Sequence, residues 1–203
     1  EVKEISDRII KVKKEISKII TGQENITNAL IRGLICDGNV FVEGVPGIAK
    51  TLLLRALGEA SGCDVKRIQF TVDLLPTDIV GLTVYKPKGG FEIVKGPIFA
   101  NFIIADEINR TTPKTQSALL EAMQEKQVTI GRTTYPLPKP FFVMATQNPI
   151  ESAGVYTLPE AQIDRFIFKV IMNYPKKEEE KIIMKNNINL RNFEDFEVKK
   201  VIS

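Results

Sequence analysis

The sequence of 203 residues contains no histidine. That absence removes His-ligated metal centres, histidine general bases and Ser-His-Asp triads together. Cysteine is scarce as well: Cys36 and Cys63 stand in helix-like or turn contexts without metal-binding spacing, which reads as two reduced thiols in a cytoplasmic protein. No apolar run reaches membrane-spanning length and the N-terminus does not read as a secretory signal, so no membrane insertion is expected. The net charge is only +3, with the lysines scattered along solvated faces. It permits an acidic or nucleic-acid partner without arguing for one. No internal repeat or low-complexity tract occurs. What remains, 43% hydrophobic and 26% charged, is the composition of an ordinary folded chain with one sizeable core.

Val2, Ile5, Ile9, Val12, Ile16 and Ile19 recur at three- and four-residue spacing, which predicts an amphipathic helix. Thr21-Gly22-Gln23 breaks it, and a second helical stretch runs from Glu24 to Asp37. Buried strands are expected at 40–43, 65–70, 102–105, 141–145 and 166–170, and further helices at 52–61 and 115–125. Two excursions interrupt this alternation. Between 73 and 97, the strands 82–85 and 91–94 flank Lys86-Pro87-Lys88-Gly89-Gly90 as a β-hairpin, and a second excursion spans about 128–137. Strands alternating with helices predict a three-layer α/β sandwich around a parallel sheet. Pro175 marks a boundary: residues 1–174 form the core and 175–203 begin a second, helical unit that these residues do not complete.

Residues 44–51, Gly-Val-Pro-Gly-Ile-Ala-Lys-Thr, lie between the first strand and the helix from Leu52. Strand, glycine loop, lysine-hydroxyl and helix, in that order, hold a nucleoside triphosphate by its phosphates. Gly44 and Gly47 supply the turns, Lys50 a cation for the β- and γ-oxygens, and Thr51 a hydroxyl for Mg²⁺. Ala49 stands where the general pattern has glycine. It fits provided it has helical dihedrals, because a Cβ is penalised only at positive φ. The bland reading is a glycine turn with Lys50 as a solvated first-turn residue.

An apolar strand closing in Asp106-Glu107 raises the nucleotide reading. Asp106 can coordinate Mg²⁺ and Glu107 can activate the attacking water. Helix capping is the alternative use of two such carboxylates. Asn148, just after the strand 141–145, offers a neutral amide to orient that water, although Asn148-Pro149 is also an ordinary turn signal.

Together these residues resemble the AAA+ ATPases, and specifically the MoxR family. The resemblance runs in order through Ile20-Thr21-Gly22-Gln23, 44–51, Leu74-Leu75-Pro76 to Gly81, Ile104 to Arg110, Lys114 to Glu125, Ala145 to Pro149, and Leu158 to Phe166. Ala49 is normal for that family; Val72, where proline is more usual, is a minor departure. The resemblance implies a P-loop NTPase of AAA+ type with inserted hairpins, the beginning of a helical lid, and bound ATP or ADP with Mg²⁺. Lys50 and Thr51 would be the Walker A lysine and metal-binding threonine, Asp106 and Glu107 the Walker B pair, and Asn148 the sensor 1 residue. The nucleotide would lie against Gly44, Val45, Pro46, Gly47, Ile48, Ala49, Lys50, Thr51 and Leu52. Ile20, Gly22 and Gln23 match the segment near the adenine and ribose. Arg165 matches the arginine finger that enters a neighbour's site; a local ion pair with Asp164 is the alternative use of that residue. Also implied are a ring, commonly hexameric with ATP at subunit interfaces, and client proteins, some with von Willebrand factor A-type domains. Both hairpins would face the ring pore or a substrate.

Three functions remain open on the sequence: an ATPase that remodels partner proteins, a DNA-acting motor related to the MCM helicases, and a nucleotide-switched binding module. The hairpin lysines Lys86 and Lys88 lack the aromatic interleaving that stacks bases, which counts against nucleic acid. Glu107 counts against the pure binder, which needs no base.

Overall fold

The computed structural model describes residues 2–45, 49–87, 89–149, 155–186 and 193–201. Pro46, Gly47 and Ile48 of the loop, Lys88 at the hairpin tip and residues 187–192 lie outside the described residues. A parallel five-stranded sheet has the order β2-β5-β8-β1-β9, formed by β1 (Val40–Gly44), β2 (Val65–Gln69), β5 (Phe102–Asp106), β8 (Phe142–Gln147) and β9 (Phe168–Met172). Two antiparallel hairpins stand outside it: β3 (Gly81–Lys86) with β4 (Gly90–Lys95), and β6 (Gln127–Ile130) with β7 (Thr133–Pro136). Both predicted excursions are therefore hairpins.

The three central strands are apolar along nearly their whole length because both faces are covered. Alternation sorts their side chains. Val40, Val42, Phe102, Ile104, Phe142 and Met144 face a core with α1 (Val2–Ser17), α2 (Glu24–Ile35) and α3 (Lys50–Ser61). Phe41, Ile103, Ala105, Val143 and Ala145 face the opposite core, which Ile79 and Leu119 close from α4 (Pro76–Val80) and α5 (Pro113–Glu125). This is the expected three-layer sandwich. Phe102 and Phe142 meet edge to face at 5.6 Å across β5 and β8. Truncating either to alanine removes about 3–5 kcal/mol of stability.

Helix ends follow local chemistry. α3 stops at Gly62, whose φ of +66° lets the amides of Gly62 and Cys63 turn back onto the carbonyls of Glu59 and Gly58. The α4 turn, which the apolar pattern alone did not predict, starts at Pro76 and is fixed by the Asp78 carboxylate accepting the Leu75 N–H at 2.9 Å. The last strand begins at Phe168, two residues later than the apolar run suggests. The run starts early because Phe166 is spent elsewhere. It closes a turn after α6 (Glu160–Ile163), donating to the Ile163 carbonyl, and stacks on Phe41 at 5.3 Å.

After Pro175 comes α7 (Lys177–Asn186). Residues 193–201 then return to the α1–α3 layer. The Val201 N–H donates to Ala60, the Lys199 N–H to the Glu15 carboxylate, and Arg55 covers the Phe193 ring at 4.1 Å. No helix among the described residues is long and apolar enough to cross a membrane.

Candidate functional site

Strand order decides which residues meet. β8 lies between β1 and β5, in parallel register with both, so the carboxyl ends of the three strands finish side by side. The loop after β1, the Asp106-Glu107 pair after β5 and the Thr146-Gln147-Asn148 run after β8 therefore converge on one edge of the sheet. In open α/β sheets this is the edge that binds ligands.

On that edge Gly44 is buried at the end of β1, Val45 is half-buried, and Lys50 starts α3 with only 9% of its surface exposed. Its Nζ donates to the Gly44 carbonyl at 2.7 Å. Burial lowers the Lys50 pKa, while the charges of Asp106 and Glu107 oppose that shift. The lysine thus lies within the field of both carboxylates. Thr51 and Leu52 follow in the first turn, half-buried, and this turn carries no acidic residue. Ala49 at its N-cap has no side-chain group to bond the first N–H groups of the turn, an arrangement that suits an anion.

Ala49 overturns one expectation. Its dihedrals are left-handed, φ +61° and ψ +25°, not helical. The residue sits at the N-cap of α3, where the chain turns out of the loop and has not yet entered the helix. A Cβ at such a position costs about 1–2 kcal/mol, and alanine bears that cost here where glycine would not.

Asp106 and Glu107 are not capping groups. Asp106 ends β5 with 13% of its side chain exposed. Its Oδ1 accepts the Thr146 hydroxyl at 2.6 Å, and its Oδ2 accepts Arg67 Nη2 at 2.6 Å and Nε at 3.1 Å. Glu107 is left-handed, φ +57°, and makes no side-chain cap for the 3₁₀ turn that follows. Its N–H donates to Thr146 Oγ1 at 3.0 Å, and its Oε2 accepts Gln69 Nε2 at 2.7 Å and Arg110 Nη1 at 2.9 Å. Thr146 is wholly buried and serves both residues, donating to one and accepting from the other. The hydroxyl therefore fixes the kink that separates the two carboxylates.

Asn148 is buried at 5% exposure beyond Thr146. Ile20 is buried, Gly22 has φ +77°, and Gln23 precedes α2 and donates to the Asn173 carbonyl at 3.2 Å. Gly22 and Gln23 line a cleft of about 540 Å³ with Ile171, Asn173, Tyr174 and Glu179. A Cβ at Gly22 would meet only the Glu179 carboxyl, the far end of a flexible side chain that can move aside, so it is the positive φ that calls for glycine here.

Arg165 is the residue the fold keeps apart. It lines a cavity with Asn39, Met123 and Gln124. Asn39 stands at the amino end of β1, so the five residues of that strand separate Arg165 from its own loop, about 16 Å. Its side chain is exposed, and among the described residues it has no ion-pair partner, so the local pair with Asp164 does not form. Sequence reasoning missed Arg67, Gln69 and Thr146. Arg67 and Gln69 carry a readable signal, since two polar residues at i and i+2 on an otherwise strand-like segment share one face. Which acid they serve depends on the β2–β5 register, Gln69 opposite Asp106, and that is not written locally.

The donor set fits Mg²⁺. Among the described residues no cluster of three or more His, Cys, Asp or Glu could cage a metal. One carboxylate and one threonine hydroxyl on adjoining elements suit a hard ion that keeps waters and substrate phosphates.

Residues 39–168 match a sequence family described as "ATPase family associated with various cellular activities (AAA)". "Chaperone MoxR1" of Mycobacterium tuberculosis is 53% identical over 171 residues, 84% of this chain and 45% of that protein. "Protein MoxR" of Methylorubrum extorquens is 31% identical over 175 residues, 84% of this chain and 51% of that protein. A crystal structure assigned as an ATPase, from Cytophaga hutchinsonii, superposes with a TM-score of 0.88 at 51% identity, covering 97% of this chain and 59% of that one. The chain thus spans about half the length of the curated relatives it matches.

Proposed function

The chain belongs to the MoxR family of AAA+ ATPases, and from that premise we propose that it binds ATP with Mg²⁺ and hydrolyses it to ADP and phosphate in a ring that remodels partner proteins. The observation that carries the reading is the meeting of Lys50, Asp106, Glu107 and Thr146 at the carboxyl ends of β1, β5 and β8. In this reading the α3 amides and Lys50 receive the phosphates, and Thr51 and Asp106 hold the metal, which neutralises charge on the β- and γ-oxygens. Glu107 takes a proton from the attacking water, whose oxygen bonds to the γ-phosphorus as the bond to the β,γ-bridging oxygen breaks. Asn148 orients that water, and ADP leaves with the bridging oxygen. The cleft at Gly22 and Gln23, with Ile20 beside it, receives the base.

Arg165, too far from its own loop, acts on a neighbour's γ-phosphate, which makes turnover depend on assembly; a hexamer is the commonest such ring in the family. The clients are proteins, with von Willebrand factor A-type domains as the class the resemblance offers. Leu82 and Val94 on one face of the first hairpin, and Tyr85 and Phe91 on the other, are exposed and apolar, which suits a polypeptide. Lys86 there is paired with Glu92, so this part of the hairpin offers less positive charge to DNA than the sequence suggests. Of residues 175–203, read from the sequence as the start of a helical lid, 175–186 begin it, whereas 193–201 pack against the α1–α3 layer.

The test is ATP turnover of the full-length protein against its concentration. Wild-type specific activity should rise with assembly, while Glu107→Gln should keep ATP binding and lose turnover by about 10²–10⁴. Arg165→Ala should keep binding and lose about 10³–10⁵. Undiminished turnover by Glu107→Gln would refute the mechanism. Strong, salt-dependent DNA binding would favour the helicase-like reading, and binding without turnover in the assembled protein the switch.

A further inference from the structure

Arg67 is placed where the proposed chemistry has no use for a cation. It projects from β2 and puts Nε and Nη2 on the same Asp106 oxygen, Oδ2, at 3.1 and 2.6 Å. The other oxygen, Oδ1, is held by Thr146 at 2.6 Å. Both oxygens of the metal-binding carboxylate are therefore engaged, but by unlike partners. Thr146 is wholly buried on a central strand, whereas the Arg67 side chain is 49% exposed on an edge strand. An ion pair so open to water is held weakly, so Arg67 is the partner that yields. It has somewhere to go: Arg67 shares a cavity of about 250 Å³ with Thr51, Glu59 and Asp64. Thr51, the other residue assigned to the metal, forms part of the same wall.

We propose that Arg67 is a stand-in counter-ion, which neutralises Asp106 while the site is metal-free and withdraws towards Glu59 and Asp64 when Asp106 is given over to Mg²⁺. The proposal rests on the ATP and Mg²⁺ reading above. Without Arg67 a metal-free site would face the triphosphate with Asp106 uncompensated except by the field of Lys50, because Arg110 is already paired with Glu107. With Arg67 in place the phosphates meet a site already close to neutral, but the metal must compete with the guanidinium for Oδ2. Arg67 thus has opposite effects on the two ligands: it favours metal-free nucleotide and opposes the metal. It is a positioning residue, acting through Asp106.

The experiment measures binding, not turnover. A fluorescent ATP analogue is titrated into the full-length protein in EDTA, and then against free Mg²⁺ at fixed nucleotide. In Arg67→Ala, affinity for the metal-free analogue should fall by about three- to tenfold, while the Mg²⁺ concentration at half-effect should also fall, by a similar factor. Arg67→Lys keeps the charge without the fork and should recover most of the metal-free affinity. Thermal melting of both variants checks the fold. A Mg²⁺ midpoint in Arg67→Ala that stays within about twofold of wild type, or rises, overturns the proposal and leaves the ATP reading standing. Wild-type protein that binds no analogue with or without Mg²⁺ overturns the ATP reading, and the role of Arg67 with it.

Discussion

Replacing Thr146 by valine tests the geometry of the site apart from its activity. Valine keeps the shape and the β-branch that suits a central strand, and removes only the hydroxyl. Two bonds go with it, the one to Asp106 Oδ1 at 2.6 Å and the one from the Glu107 N–H at 3.0 Å. The Glu107 amide then has no partner at a kink where φ is already +57°. A buried N–H left unpaired costs about 1–3 kcal/mol, and a bond to a charged group contributes about 1.5–3. These do not simply add. Asp106 retains 13% side-chain exposure, so water can replace part of the second bond. The loss should be about 2–3 kcal/mol, a fall in Tm of about 4–12 °C for a chain of this size. Circular dichroism melts and urea titrations, run in EDTA without nucleotide so that ligand linkage adds nothing, measure it. Thr146→Ser separates hydroxyl from methyl, and should lose only about 1 kcal/mol. Valine within about 0.5 kcal/mol of wild type, or serine as damaging as valine, would refute the bridging role.

Ala49→Gly removes a Cβ from a left-handed N-cap, gaining about 1–2 kcal/mol of relief against about 0.5–1 of added backbone entropy. Its melting point should rise slightly; a clear fall would contradict the left-handed assignment. At Glu15, desolvation raises the pKa, but bonds from Lys18 and the Lys199 N–H outweigh it and the net direction is down. A carboxylate depressed in the folded state stabilises fully above its ordinary value of 4.5, and that stabilisation is lost as pH falls through the lower folded value. The protection of residues 197–201 against hydrogen exchange, taken relative to the intrinsic amide rate at each pH, should accordingly fall in acid, and Glu15→Gln should remove that pH dependence but not the segment's native fold. Burial raises the Cys63 thiol pKa, opposed by Lys200, whereas Cys36 is exposed. Mass spectrometry after brief iodoacetamide treatment at neutral pH should therefore find Cys36 alkylated well before Cys63.

Much of the architecture was legible because parallel strands buried on both faces must be apolar throughout. Phe102-Ile103-Ile104-Ala105 and Phe142-Val143-Met144-Ala145 announce themselves, and the acids at 106–107 and the amide at 148 then fall at their carboxyl ends. The errors came where a residue's partner is distant. Phe166 continues an apolar run, yet it leaves the sheet to stack on Phe41. Ala49 looks permissive by its position before a helix, yet its dihedrals are set by the loop it leaves.

The same distinction explains why the carboxylates could be read and their controllers could not. A carboxylate at the end of an apolar strand is a local pattern. Arg67 and Gln69 become its partners only because β2 docks beside β5 with Gln69 opposite Asp106. A shift of that register by one residue would turn both side chains to the other face and leave Asp106 and Glu107 without them. Thr146 depends equally on β8 lying next to β5, a consequence of the strand order and not of any neighbour in sequence. The chemistry of this site is therefore carried by single residues, but its readiness is carried by register. Substitutions in the sheet that slip β2 against β5 should disturb the proposed metal dependence while leaving every motif residue intact.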